Sequence, residues 1–268
     1  MAQATTHQNK ATRVDPRFTR RVLAKAAAGF AAATAFAGGA APATDAALST
    51  ESTTRGSEWW APEGIGGTGE AVEFTADHAF RAIAPHWAAD PNVDGAVEIS
   101  VSADGVTWTD PVVIGPSLAD AGPADREGRV FGHLMMTDES WYARVRMLDA
   151  NGEPTTLPGF ALTYIDASAG PSINDVSTPA TGIGGGLVEP PIISRNQWGA
   201  GLAYGGVDAG TDGWTAEYRT VEHIVIHHSD TPSFRDPLVE LRSIHYYHAV
   251  SRGWGDIGYN YLVDYLGN

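Results

Sequence analysis

The 268-residue chain has no cysteine. Disulfides are excluded, and with them the small secreted scaffold held together by covalent staples. Cysteine as a metal ligand is excluded within these residues as well. Positive charge is scarce: 17 Lys and Arg stand against 32 Asp and Glu, a formal net charge of −15. Nucleic acid and anionic membrane both favour basic surfaces, so neither is expected as a main partner. The acidity names no ligand, because plain soluble exported proteins share it. Long apolar runs are missing too. Residues 26–41 are weakly apolar, rich in Ala and Gly, and short of the roughly 20 residues that a membrane helix needs. No membrane span is expected. The length allows two modest domains with cores of their own.

What is present begins with a targeting segment. Arg17, Arg20 and Arg21 supply positive charge, residues 26–41 the apolar part, and Ala41-Pro42-Ala43 a small-x-small cleavage pattern. Residues 1–45 are read as an export signal, with the mature chain starting near Thr44. Thr19-Arg20-Arg21-Val22-Leu23-Ala24-Lys25 looks like a twin-arginine signal. The alternative is an ordinary secretory signal that carries two arginines. Either places the mature protein outside the cytoplasm, secreted or in the cell wall.

Residues 58–166 alternate with period two. Ala96-Val97-Glu98-Ile99-Ser100-Val101-Ser102, Tyr142-Ala143-Arg144-Val145-Arg146-Met147 and Phe160-Ala161-Leu162-Thr163-Tyr164-Ile165 all do so, and Asp104-Gly105 and Asn151-Gly152 are hairpin-type turn signals. The pattern predicts an N-terminal all-β sandwich, jelly-roll-like, acting as an accessory domain. Ser102-x-Asp104-Gly105-x-x-Trp108 resembles a turn of jelly-roll accessory modules on exported enzymes, though a Trp after a hairpin is more often core than ligand contact. Residues 167–190 carry Gly, Pro, Ser and Thr without periodicity and read as a flexible linker. Their glycines do not make a phosphate loop, since no strand precedes them and no lysine follows.

From Pro191 the periods change. Residues 220–228 form an apolar run that predicts a buried strand. Asp236-Pro237 signals a helix start, and the helix is expected to reach about Ser251 and stop before Gly253. Residues 258–266 read as a second strand. Strand, helix, strand opens a C-terminal α/β domain with a mixed sheet. The segment carries Ser194, Arg195, Trp198 and Gly199, then His227-His228 on the strand, His245 and His248 on the helix, and Gly253-Trp254 with Asp256-Ile257-Gly258-Tyr259-Asn260. His245 and His248, three apart, share a helix face. That spacing alone is thin evidence for a metal, and no Glu follows His245 as a zincin motif requires.

In this order the residues resemble the zinc-dependent N-acetylmuramoyl-L-alanine amidase family, which includes peptidoglycan recognition proteins and phage lysozymes of the amidase type. The resemblance covers residues 191–268. It implies that His227 is a metal ligand, with His228 turned to the other face of the strand by alternation. It implies that Tyr259 is catalytic, helping the metal-bound water or stabilising the oxyanion; a packed core aromatic is the alternative. Tyr261 stands where the family motif has Phe. His248 falls at a recurring position that is not a zinc ligand and reads as structural. His245 reads as a surface or interface residue. Arg195 and Trp198 line or support the groove, and the sequence does not say which. A catalytic zinc takes three protein ligands and a water. The family draws its other ligands from a later part of the fold, so the amidase domain is expected to be incomplete, its front half only, with the remaining ligands beyond Asn268. A longer product and a shortened paralogue both remain open.

The expected activity is zinc-dependent hydrolysis of the amide joining the lactyl group of N-acetylmuramic acid to L-alanine of the stem peptide, with peptidoglycan or muropeptides as partner. A non-catalytic peptidoglycan-binding module is the rival, and a wall-carbohydrate-binding sandwich a third reading. Oligomeric state is not legible. The export signal is directly testable. Replacing Arg20 and Arg21 together with lysine should retain the precursor inside the cell, read by fractionation and immunoblot. Normal secretion of that double variant would assign the general secretory route instead.

Overall fold

The computed structural model describes residues 54–63, 66–67, 69–90, 94–117, 125–126, 128–176, 181–182, 188–189, 192–200, 220, 222, 224–229, 231 and 235–267. Residues 1–45, read from the sequence as an export signal, lie outside them. Two compact units are distinguished. The smaller is Met1–Gly38 with Ala216–His227, and the larger is Gly39–Thr215 with His228–Asn268.

Seven strands of the larger unit form one antiparallel sheet: β1 (Arg55–Trp60), β2 (Val72–Ala88), β3 (Gly95–Ser102), β4 (Val112–Ile114), β5 (Arg129–Phe131), β6 (Met135–Asp149) and β7 (Ala161–Asp166). Their order is β1-β7-β2-β6-β3-β4, with β5 also on β2. The alternation read from the sequence sets the faces. Along β3, Val97, Ile99 and Val101 are buried, and they oppose Met147, Val145 and Ala143 of β6. On the other face Glu98 opposes Arg146 and bonds to it at 2.7 Å. Apolar pairs on one face and charge pairs on the other are what a half-buried antiparallel sheet favours.

The length of β2 shapes the sheet. Its first residues pair with β6 and its last with β7, with register shifts between Thr75 and Ala82. Such irregularities bend a strand and let it change partners. The main core lies against this bent strand and includes Phe74, Phe80, Ile83, Trp87, Val97, Ile99, Phe160 and Leu162. Both turn signals are realised. Asp104 Oδ1 accepts from the Val106 and Thr107 amides, with Gly105 at φ 74°. Asp149 Oδ1 accepts from the Asn151 amide, with Gly152 at φ 83°. Trp108 is half-buried, with the Arg144 guanidinium 3.8 Å from its ring centroid.

Helix α1 spans Pro237–Tyr246. Asp236 caps it by accepting from the Leu238 amide at 2.9 Å, and Pro237 occupies the first turn, where its missing N–H costs nothing. The helix continues as a wider π turn, Tyr247–Ser251, closed by the Arg252 amide donating to the Tyr247 carbonyl at 2.9 Å. Gly253, at φ 80°, ends it. Two faces of α1 are used. Tyr246 and Tyr247 join a cluster with Ala82, Ala84, Phe131 and Ile165 of the sheet. Leu238 and Leu241 join Trp198, Ala200 and Ile173.

Between those faces lies Arg242, only 1% exposed. Its guanidinium donates to the carbonyls of Ala167, Pro171 and Trp198 at 2.7–2.9 Å. The first part of the expected linker is therefore packed, and Ile173–Asp175 forms a 3-10 turn. A short ribbon, β8 (Thr181–Gly182) with β9 (Val188–Glu189), follows.

The two strands expected after Pro191 are not formed among the described residues. Residues 224–229 carry no strand pairing and are exposed, Ile226 at 94%. Residues 258–267 also run without pairing, with Val263 at 80% exposure. An apolar run becomes a strand only when a neighbouring edge takes up its amides and carbonyls.

Arg242 gives the fold a testable anchor. Arg242→Met should lower stability by about 3 kcal/mol, because the buried carbonyls lose their donors. Urea melts should show a lower midpoint with an unchanged slope. An unchanged midpoint would contradict the anchoring role.

Candidate functional site

The chemistry-bearing side chains of the C-terminal segment gather around the end of α1. His248 sits in the π turn and is buried. Such wide turns form where a helix makes room for a side chain to reach a site. The Gly258 amide donates to His248 Nδ1 at 3.3 Å, which leaves Nε2 to carry the proton of the neutral ring. Trp254 packs on the imidazole with centroids 4.4 Å apart, and the Tyr259 ring lies 5.6 Å away. Burial first, then the Arg252 charge, hold the His248 pKa down at about 3. The imidazole is neutral at any physiological pH.

His248 and Tyr259 line a small cavity of about 40 Å3, together with Ser117, His133, Ser229, Thr231 and Tyr247. That is space for roughly one or two waters. Its lining offers hydroxyls and imidazoles, groups that both donate and accept.

Arg252 and Asp125 form the floor of this region. Arg252 is 1% exposed and meets Asp125 through two bonds, Nε to Oδ1 at 2.8 Å and Nη2 to Oδ2 at 3.0 Å. The Trp254 indole also donates to Asp125, at 2.8 Å. Neither Arg252 nor Asp125 stood out in the sequence. Arg252 adjoins the Gly253-Trp254 motif, which was a usable signal; Asp125 lies in an aperiodic stretch that offered none.

A second network lies beside it. His245 is buried, 3% exposed, and its Nε2 is 3.1 Å from Asp256 Oδ1. The expected surface position is thus replaced by an interior one, because the helix face that carries His245 packs on Trp198, edge to face at 5.4 Å. Arg195 bonds to both Asp256 oxygens at 3.0 and 3.3 Å. Burial of Asp256 opposes its ionisation, but the His245 hydrogen bond, the Arg195 charge and the Ile257 amide outweigh it and hold the carboxyl at about 2. Trp198 is buried. Arg195 and Trp198 therefore brace the site through Asp256 and His245.

His227 is exposed, belongs to the smaller unit, and carries no strand conformation; Tyr259 belongs to the larger unit. His228 is exposed as well. Among the described residues no three His, Asp or Glu side chains converge as a metal site. A catalytic zinc takes three protein ligands, of which His227 is the one expected among the described residues.

Comparison with known proteins adds one relative. Over 92 residues the chain is 30% identical to peptidoglycan-recognition protein LB of Drosophila melanogaster, an alignment covering 30% of this chain and 33% of that protein. The chain thus spans about a third of the length of the curated relative it matches. No family model matches the chain, and no solved structure does. The similarity supports a peptidoglycan-related function and does not separate binding from catalysis.

The depressed histidines set a pH signature. His248 and His86 both have pKa values lowered chiefly by burial. Unfolded, each takes up a proton near pH 6.5; folded, each resists it. Stability is therefore fully present above about pH 6.5 and is lost as pH falls below it. Asp256 and Glu58, held near 2, add to the loss only below about pH 4. Thermal midpoints should fall between pH 6.5 and 4.5, and His248→Gln should flatten that slope. An identical slope in the variant would contradict the buried neutral imidazole.

Proposed function

We propose that this protein recognises peptidoglycan and, in its catalytic form, hydrolyses the amide between the lactyl group of N-acetylmuramic acid and L-alanine of the stem peptide. The similarity to peptidoglycan-recognition protein LB carries the proposal. The ordered set from Arg195 and Trp198 through His227 to Asp256-Ile257-Gly258-Tyr259 supports it. In this reading the protein is exported and works at the cell wall, and His227 is a zinc ligand. Zinc, when bound, would polarise the carbonyl and lower the pKa of its water. Tyr259 would present its hydroxyl to the developing oxyanion. Asp256, pinned by Arg195, His245 and its own neighbouring amide, holds the turn that leads to Tyr259. Neutral His248 packs against Tyr259 and adds no charge there.

The test has two levels. Purified peptidoglycan sacculi should retain the protein in a sedimentation assay, and soluble muropeptide should release it. With zinc supplied, His227→Ala should lower bound metal by elemental analysis and abolish release of stem peptide. Tyr259→Phe should keep the metal and slow release by roughly 10²–10³, the effect of losing one oxyanion donor. Retention on sacculi with neither zinc nor hydrolysis would assign the non-catalytic binding module. Failure to sediment with sacculi would overturn the proposal.

A further inference from the structure

The sheet carries a basic and aromatic cluster on β1, β2 and β5 that the amidase reading does not use. Trp60, the last residue of β1, is 52% exposed. The Arg129 guanidinium of β5 lies 4.8 Å from the Trp60 ring centroid. Behind them is His86 of β2, fully buried, with its ring edge-on to Trp60 at 5.6 Å. Glu58 and Arg126 complete the group, joined by a 2.8 Å bond.

The donor count at Arg129 is unusual. A guanidinium has five N–H donors. Nε and Nη2 of Arg129 both turn to one acceptor, His86 Nδ1, the former at 3.1 Å. Among the described residues no carboxylate pairs with Arg129, while Glu58 is engaged by Arg126. Nη1 lies beside Gly159, where a Cβ would stand 3.2 Å from it, so no side chain from that position crowds it. His86, accepting at Nδ1, carries its proton on Nε2, 3.4 Å from Glu58 Oε1. The buried imidazole therefore fixes the Arg129 fork without adding a charge of its own. Burial, then the neighbouring Arg126 charge, pull the Arg129 pKa to about 10, against the opposing charge of Glu58.

We propose that Arg129 and Trp60 form a binding site for a carboxylate-bearing sugar. The exposed part of the indole offers an apolar platform for the C–H face of a pyranose ring. The open edge of the Arg129 fork takes the carboxylate, whose planar geometry it matches and whose charge completes the site. Glu58, held by Arg126 and half-buried, limits how far the positive field spreads and offers an acceptor for a sugar hydroxyl. Two sources share this ligand chemistry: the free lactyl carboxylate of N-acetylmuramic acid, and uronic acids of other polysaccharides. The proposal stands on the sheet alone and does not depend on the amidase reading.

The test is titration of the full chain, followed by tryptophan fluorescence, with N-acetylmuramic acid, glucuronic acid, N-acetylglucosamine and acetate as probes. At least one of the two sugar acids should bind with a Kd at least tenfold below those of N-acetylglucosamine and acetate. Preference for N-acetylmuramic acid assigns the wall glycan as source, and preference for glucuronic acid a uronate polysaccharide. Arg129→Gln, which keeps a donor toward His86, should weaken the sugar acids tenfold or more and leave N-acetylglucosamine unchanged. Trp60→Ala, at a largely exposed position, should weaken them with an unchanged thermal midpoint. Equal binding of N-acetylmuramic acid and N-acetylglucosamine, wild-type affinity in both variants, or no binding of either sugar acid to the folded chain would overturn the proposal.

Discussion

The contact on which the C-terminal part depends is the buried ion pair between Arg252 and Asp125. A guanidinium taken almost wholly out of water is tolerated only when its charge and its donors are matched. Asp125 supplies both through two parallel bonds, and the faces of Phe131, Tyr247 and Trp254 enclose the rest at 4.6–5.6 Å. The Arg126 amide donates to the Arg252 carbonyl at 2.9 Å, so backbone as well as side chain is joined there. Through these contacts the end of α1, the segment leading into β5 and the Trp254 turn become one structure.

The same pair shapes the site's electrostatics. Burial first, and then the fixed Arg252 cation, disfavours protonation of His248, which stays neutral. Its ring then packs on Trp254 and Tyr259 as an aromatic that can also accept a hydrogen bond. Across α1, Asp256 is ionised despite burial because Arg195 and His245 hold it. Two histidines three residues apart thus play different parts, one bonded to a carboxylate and one shielded from charge.

The two candidate sites differ in kind. Around Tyr259, hydroxyl and imidazole groups face a cavity of about 40 Å3. Around Arg129 the donors outnumber the acceptors, and an aromatic surface stands exposed beside them. The first is organised inward and the second outward.

Much was legible in the sequence because it is governed by nearest neighbours along the chain. Period-two alternation gave the faces of β3 and β6, Asp104-Gly105 and Asn151-Gly152 their turns, and Asp236-Pro237 the start of α1. Gly253 marked its stop. The motif residues Arg195, Trp198, His248, Asp256 and Tyr259 were also visible as an ordered set. Tertiary structure alone decided what those residues do for one another. Only packing turned His245 inward onto Asp256, joined Arg252 to Asp125 across 127 positions of sequence, and brought His86, Arg129 and Trp60 to one patch. It also left residues 224–229 and 258–267 outside any strand among the described residues, although their apolar pattern is that of strands. The physical reason is common to all four. A side chain's own chemistry and its periodic neighbours fix its preference, whereas burial, charge compensation and strand pairing depend on which distant segment arrives beside it.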